Sequence, residues 1–188
     1  MPLSEPAERE LLHLRDIAIR GYRRTDGLFD VEAEIADSKT YGFSIQDRRL
    51  EPGEKLHHMR VRMTVDENLT IVACEAVTEA GPFSICGGGA ATFSRLAGLA
   101  IRPGFLREAN ARIGGVDGCT HLRELLQQMA TVAFQTSFVL PRRQMDDTVA
   151  ADRLVNSCHA YSAAGPVVRQ RWPERYTGPD ATAATATG

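Results

Sequence analysis

The stretch Gly114-Gly115-Val116-Asp117-Gly118-Cys119-Thr120-His121-Leu122 sets a thiol and an imidazole two positions apart, where a glycine-rich turn runs into a long amphipathic segment. Glycines permit positive φ and close backbone approach, and a helix start exposes unpaired N–H groups that favour anions and thiolates. Cys119 and His121 are therefore candidates for binding or activating a ligand. The competing reading is structural: Thr120 caps the helix, Cys119 fills a small apolar gap and His121 packs on the first turn.

A second group lies on one side of an alternating run. Leu56 to Val65 places His58, Arg60 and Arg62 on one face and His57, Met59, Val61, Met63 and Val65 on the other. The polar face reads as a pocket wall for a phenolate or carboxylate, with His58 as base and an arginine on the developing oxyanion. His57 falls on the side expected to face the core. A solvated sheet face with ordinary charges is the structural alternative.

The turn Arg23-Arg24-Thr25-Asp26-Gly27 joins paired cations to a turn signal, so Arg24 and Asp26 are candidates for closing over a substrate. Tyr22, Asp37 and Lys39 add proton donors or acceptors, Tyr22 being the best of the three. Cys86, Cys119, His121 and His58 include thiolate and imidazole donors suited to a borderline or soft metal, but their spacing does not demand one, and no metal or cofactor is assigned. Asn156-Ser157-Cys158-His159 offers another thiol and imidazole, read as a packing edge with Cys158 buried. Gly87-Gly88-Gly89 lacks the lysine and hydroxyl of a phosphate loop, and no serine occupies a nucleophile elbow.

The elements that must position these groups follow from periodicity and turn chemistry. Leu28 to Ile35 alternates as a strand, Arg20 to Gly27 reads as a polar turn, and Pro52-Gly53 turns the chain into the Leu56–Val65 strand. Asp66-Glu67-Asn68 closes a hairpin with Leu69 to Thr78. Short helices are expected at Ala90 to Leu99 and Phe105 to Ile113. Thr120 to Leu140 is the strongest helix, with Leu122, Leu125, Leu126, Met129, Val132, Ala133 and Phe134 forming an apolar face up to Pro141. Arg142 to Asp147 reads as a polar connector, while Leu154 to Ala160 and Pro166 to Tyr176 read as an edge strand or surface packing anchored by Trp172.

These elements predict an α+β fold: a small antiparallel sheet with helices packed on one face and one long helix in the C-terminal half. The expected organisation is an N-terminal extension over 1–10, a single domain over 11–180 and a disordered tail over 181–188. With 22 basic against 24 acidic residues the charge is −2, which gives no general attraction to nucleic acid, and no apolar run is long enough for a membrane span. Met1 to Glu10 does not resemble a secretion signal, and Cys74, Cys86, Cys119 and Cys158 lie far apart. A reducing, cytoplasmic setting is the expectation.

The order of strands and helices resembles, in topology, the iron–sulfur scaffold proteins of the nitrogen-fixation U type over roughly Leu56 to Phe138. That resemblance sets Cys86 near the scaffold's middle cysteine and Cys119 near the one that begins its last helix. No cysteine stands at the hairpin position of the scaffold's first ligand, and His121 follows Cys119 whereas the scaffold's histidine precedes its cysteine. On Tyr22-Arg23-Arg24-Thr25-Asp26-Gly27-Leu28-Phe29-Asp30, Asp37-Ser38-Lys39, His58-Met59-Arg60-Val61-Arg62 and the Gly114-to-Leu122 turn, the chain is identified as a member of the domain-of-unknown-function family 2889. It is also similar to formaldehyde-releasing lyases that act on phenylcoumaran dimers in lignin-degrading bacteria.

This similarity implies the reaction class, a cofactor-independent lyase on an aromatic small molecule. The sequence supplies compatible groups: His58, Arg60, Tyr22 and His121 as catalytic residues and Arg24, Asp26, Arg62, Lys39 and Cys119 as substrate-binding ones. The alternatives are a non-catalytic metal or iron–sulfur carrier built on Cys86, Cys119 and His121, and a small-molecule-binding module. An aromatic substrate is the expected partner, with no nucleic acid and no membrane, and a homo-oligomer is left open.

Overall fold

The computed structural model describes residues 2–46, 48–140 and 147–179. Where the sequence reads as one domain over 11–180, the chain divides into two compact units, Met1–Phe138 and Val139–Gly188. The Pro141 break, most of the 142–147 connector and the 181–188 tail lie outside the described residues.

The first unit is an antiparallel sheet with helices on one face, as the α+β reading expects. Its strands are β1 (His13–Arg23), β2 (Phe29–Lys39), β5 (Lys55–Val65) and β6 (Ile71–Ala80), in the order β1-β2-β5-β6. A two-stranded ribbon, β3 (Phe43–Ile45) with β4 (Arg48–Leu50), fills the connection between β2 and β5. The period of two decides the faces: Phe29, Val31, Ala33 and Ile35 on β2, and Met59, Val61, Met63 and Val65 on β5, are all buried. Asp66 makes the β5–β6 turn, its carboxylate accepting the N–H groups of Asn68 and Thr70, each at 2.8 Å. Leu69 there adopts φ 63°, and its buried side chain offsets the strain of that backbone.

The expected turn at Arg20 to Gly27 is corrected in part: Arg20–Arg23 belong to β1, whose eleven residues escaped notice because both its faces carry charge. The turn proper is Arg24–Leu28, with Gly27 at φ 89° and the Asp26 carboxylate accepting the Leu28 N–H at 3.2 Å.

The helices are α1 (Cys86–Ala91), followed by a 3-10 turn at Thr92–Leu96, then α2 (Phe105–Ile113) and α3 (Thr120–Thr136). The short helix expected at Ala90 to Leu99 thus begins earlier and tightens after Ala91, while α2 has the expected bounds. α3 buries Leu122, Leu125, Leu126, Met129 and Ala133 along one stripe against β1, β2 and β5, each large side chain contributing about 1.5–3 kcal/mol. It ends in a 3-10 turn, Ser137–Val139, short of the expected Leu140. At Gly21 a Cβ would collide with the Thr136 hydroxyl, so the glycine lets the end of α3 lie flat on β1. α1 and its 3-10 turn cover β6.

The second unit contains α4 (Asp147–Leu154) and α5 (Pro166–Arg171), with 3-10 turns at His159–Tyr161 and Pro173–Arg175. Leu154 to Ala160 and Pro166 to Tyr176 are therefore helical or turn segments instead of an edge strand. Trp172 is buried with Ala150, Ala151 and Val168, and Cys158 is exposed, contrary to expectation. Among the described residues, no helix is long and apolar enough to cross a membrane.

Candidate functional site

Two polar residues end the two apolar rows on the helix-covered face. Asp37 continues the row Phe29, Val31, Ala33, Ile35 on β2, and His57 begins the row Met59, Val61, Met63 on β5. Register sets them directly opposite one another, with Arg15 of β1 opposite Asp37 on its other side. Beside this row the β2–β5 register shifts between Asp37 and Ser38, a bulge that bends the strand where His57 is presented.

Asp37 is 1 % exposed, and burial alone pushes its carboxyl pKa up. Arg15 overcomes this with a two-point clamp, Nε donating to Oδ1 at 2.7 Å and Nη2 to Oδ2 at 2.8 Å, and His57 Nδ1 meets Oδ2 at 2.9 Å. Together these bonds hold the carboxyl below its ordinary value, so it is ionised at neutral pH. An ionised carboxylate accepts, which makes His57 Nδ1 the donor and leaves Nε2 for another partner. Arg15 is itself anchored by Glu124 of α3 at 2.9 Å, and His13 Nε2 stands 3.6 Å from Asp37.

α3 brings the second imidazole. Gly118 makes this approach possible, since a Cβ there would collide with the carbonyl of Ile113, and a Cβ at Gly89 of α1 would press on the Cys119 N–H. Cys119, instead of Thr120, occupies the N-cap position, and it makes no side-chain cap. The His121 ring then lies 3.9 Å from that of His57, tilted by 34°. Burial, followed by the neighbouring His57 and Arg15, lowers the pKa of His121, so this ring is neutral at neutral pH. Cys119 Sγ lies 3.9 Å from His121 Nδ1 and 3.8 Å from Met59 Sδ. Cys74, by contrast, is pushed up to about 12 by burial and serves the core.

The predicted site residues divide between the two faces. His121 and Cys119 join Asp37 and His57 on the covered face, whereas His58, Arg60 and Arg62 lie on the open one. There His58 is bonded at both ring nitrogens, Nε2 to Glu34 at 2.6 Å and Nδ1 to Glu79 at 2.7 Å. Glu79 is the extra residue of a bulge between β5 and β6. Arg60 pairs with Glu79 at 3.3 Å, and Arg62 with Glu32 at 2.7 Å and Glu75 at 3.0 Å. Arg60, Arg62, Glu32, Glu34 and Glu75 line a shallow trough of about 340 Å³ together with Arg20 and Val77, and His58 lies outside its lining.

Arg24 is paired with Asp26 at 2.7 Å in the β1–β2 turn, where each holds the other in its charged form. Tyr22 is exposed near that turn. Lys39 lies over the rings of Tyr41 and Phe43, 5.3 and 5.5 Å from their centroids, at the opposite end of β2. His13 and Arg15 were missed because the strand carrying them was missed.

Among the described residues, the group of ligating side chains that converges closely is Asp37, His57 and His121, whose ligand atoms lie within 4.8 Å of one another. It contains neither Cys86 nor Cys119, so the thiolates an iron–sulfur cluster requires do not fit here. For a single cation the spacing is suitable, but the Arg15 guanidinium already holds both carboxylate oxygens.

The model of one family, described as Protein of unknown function (DUF2889), matches residues 13–135, the span that carries this whole cluster, and the chain belongs to that family. No curated protein and no solved structure matches the chain.

Proposed function

With DUF2889 membership as the premise, we propose that the protein is a cofactor-independent carbon–carbon lyase acting on a lignin-derived, phenylcoumaran-type aromatic molecule with release of formaldehyde. The protons move through His57 and His121. One observation carries this reading: a buried carboxylate, clamped by Arg15, orients His57 within 3.9 Å of a second imidazole kept neutral by its surroundings. A carboxylate-oriented imidazole is a general base with its tautomer fixed. His58, the base expected from the sequence, has both ring nitrogens engaged by carboxylates, so His57 is the better base.

In the reaction, His57 Nε2 accepts the hydroxymethyl O–H proton and the adjacent carbon–carbon bond breaks, releasing formaldehyde. The electron pair forms a carbon–carbon double bond as the aryl-ether C–O bond breaks. The departing oxygen receives the proton that His57 took up, restoring the starting charge. His121 donates a hydrogen bond to that oxygen as it leaves, and Arg15 keeps Asp37 ionised throughout. A reducing, cytoplasmic setting completes the reading.

Incubation with phenolic phenylcoumaran dimers, reading formaldehyde and the conjugated product together, tests it. Stoichiometric appearance of both supports the lyase; binding without turnover selects the binding module. A second reading, a mononuclear cation on Asp37, His57 and His121, is favoured by their 4.8 Å spacing. Stoichiometric metal in the purified protein, lost on His121→Ala, would select it.

A further inference from the structure

β1 is an edge strand, and one of its sides is paired only by β2. The bonds from Arg24 N–H to the Leu28 carbonyl and from Thr40 N–H to the Leu12 carbonyl fix which residues face β2. With an unbroken register between them, the even-numbered residues of β1 exchange main-chain bonds with β2. The N–H and C=O groups of His13, Arg15, Ile17, Ile19, Gly21 and Arg23 therefore point away from the sheet. Among the described residues none of these groups is bonded within the chain.

Such an edge is normally protected by proline, a bulge, a short strand or charged side chains. β1 has only the last: it runs for eleven residues in continuous register and leaves Leu14, Ile17 and Tyr22 at least a third exposed. It carries Asp16 and Arg20, charges of opposite sign that block an arbitrary partner but not a self-complementary one.

We propose that β1 pairs with β1 of a second copy of this chain, antiparallel about a two-fold axis at Ala18. Only registers that set odd residues opposite odd residues join the free main-chain groups. Centring on Ala18 pairs the full strand and makes it self-complementary. Asp16 falls opposite Arg20 of the other copy, twice, and Leu14 opposite Tyr22, twice. On the helix side Ile17 meets Ile19, and Arg15 lies opposite Gly21, whose missing side chain leaves its place to Thr136 of α3. Centring on Ile17 or Ile19 instead sets Arg20 against Leu14 or Ala18 and loses both charge pairs.

Ile17 and Ile19 also line a hollow of about 380 Å³ with Gln128, Thr131 and Val132 of α3, which the other copy's isoleucines would cover. The pairing brings Arg23 of each copy beside His13 of the other, at the margin of the Asp37 cluster.

Sedimentation equilibrium tests this with charge reversals at solvent-exposed positions. The wild type is expected to be a dimer at micromolar concentration. Asp16→Arg and Arg20→Asp should each be folded by circular dichroism and monomeric, with dissociation constants raised about a hundredfold by two repelled pairs. An equimolar mixture of the two variants should form a heterodimer, because every facing pair is then of opposite sign. A monomeric wild type, a single variant that stays dimeric, or a mixture that fails to associate would each overturn the proposal.

Discussion

The two faces of the sheet handle charge in opposite ways. On the open face, register lines up Arg20, Glu32, Arg62 and Glu75 across all four strands, alternating in sign. These partners are solvated, so each pair contributes little, typically below about 1 kcal/mol. On the covered face a single carboxylate is taken out of water and needs a bidentate arginine and an imidazole to remain charged. Water makes the open-face charges interchangeable; its exclusion makes the covered-face arrangement specific. Specific arrangement is what directs a proton, and so the covered face is the seat of the proposed chemistry.

The sharpest way to break this comparison is to remove one histidine from each face. His57→Ala should lower formaldehyde release by about two to four orders of magnitude, the effect of losing an acid–base group. His58→Ala should stay within about tenfold of wild type. Steady-state rates on both folded variants decide it, and the reverse order would move the active site to the open face.

Asp37→Ala should come next, destabilising by about 3 kcal/mol, because it leaves the Arg15 charge without its buried partner; partial exposure of Arg15 sets the value at the lower end of the expected range. Asp37→Asn sharpens the point through pH. The carboxyl pKa is depressed in the folded state, so its stabilisation is full above the unfolded value of about 3.9 and is lost as pH falls through the lower folded value. Urea midpoints of wild type and Asp37→Asn should therefore converge in that acid range. A constant gap would show that the carboxylate charge contributes nothing.

His121 has the opposite linkage. Its folded pKa is lowered, so the unfolded chain binds the extra proton first, and stability falls as pH drops below about 6.5. Replacing His121 with Asn should flatten stability over the range from about pH 6.5 down to the lowered folded value, measured by thermal melts. The smallest effect belongs to the open face: Arg62→Ala should change stability by about 1 kcal/mol or less, with added salt narrowing the difference.

Much of this architecture was legible in the sequence. Period-two alternation found β2 and β5, the turn at Asp66 found β6, the helical stripe found α3, and the bounds of α2 agree with their expected residues. β1 was hidden because Arg15, needed by Asp37, interrupts its inward row of Ile17 and Ile19. The candidate site was half legible. Cys119 and His121 stand out by their glycine turn, and His57 lies toward the core as its side of the strand predicts, a place that by itself suggests packing and not chemistry. The missed signal was an acid and an imidazole at the ends of two apolar rows. Neither row reveals by itself that the other lies opposite it, because register is a property of the folded sheet.

The cluster is built from two kinds of contact. Arg15, Asp37 and His57 come from neighbouring strands, while His121 arrives on α3, much later in the chain. A fluctuation that lifts the first turn of α3 would part the imidazoles while the strands stay paired. Heating should therefore silence the protein in two stages, catalysis fading reversibly before the sheet gives way, with the amides at the start of α3 exchanging their hydrogens ahead of those in β2 and β5.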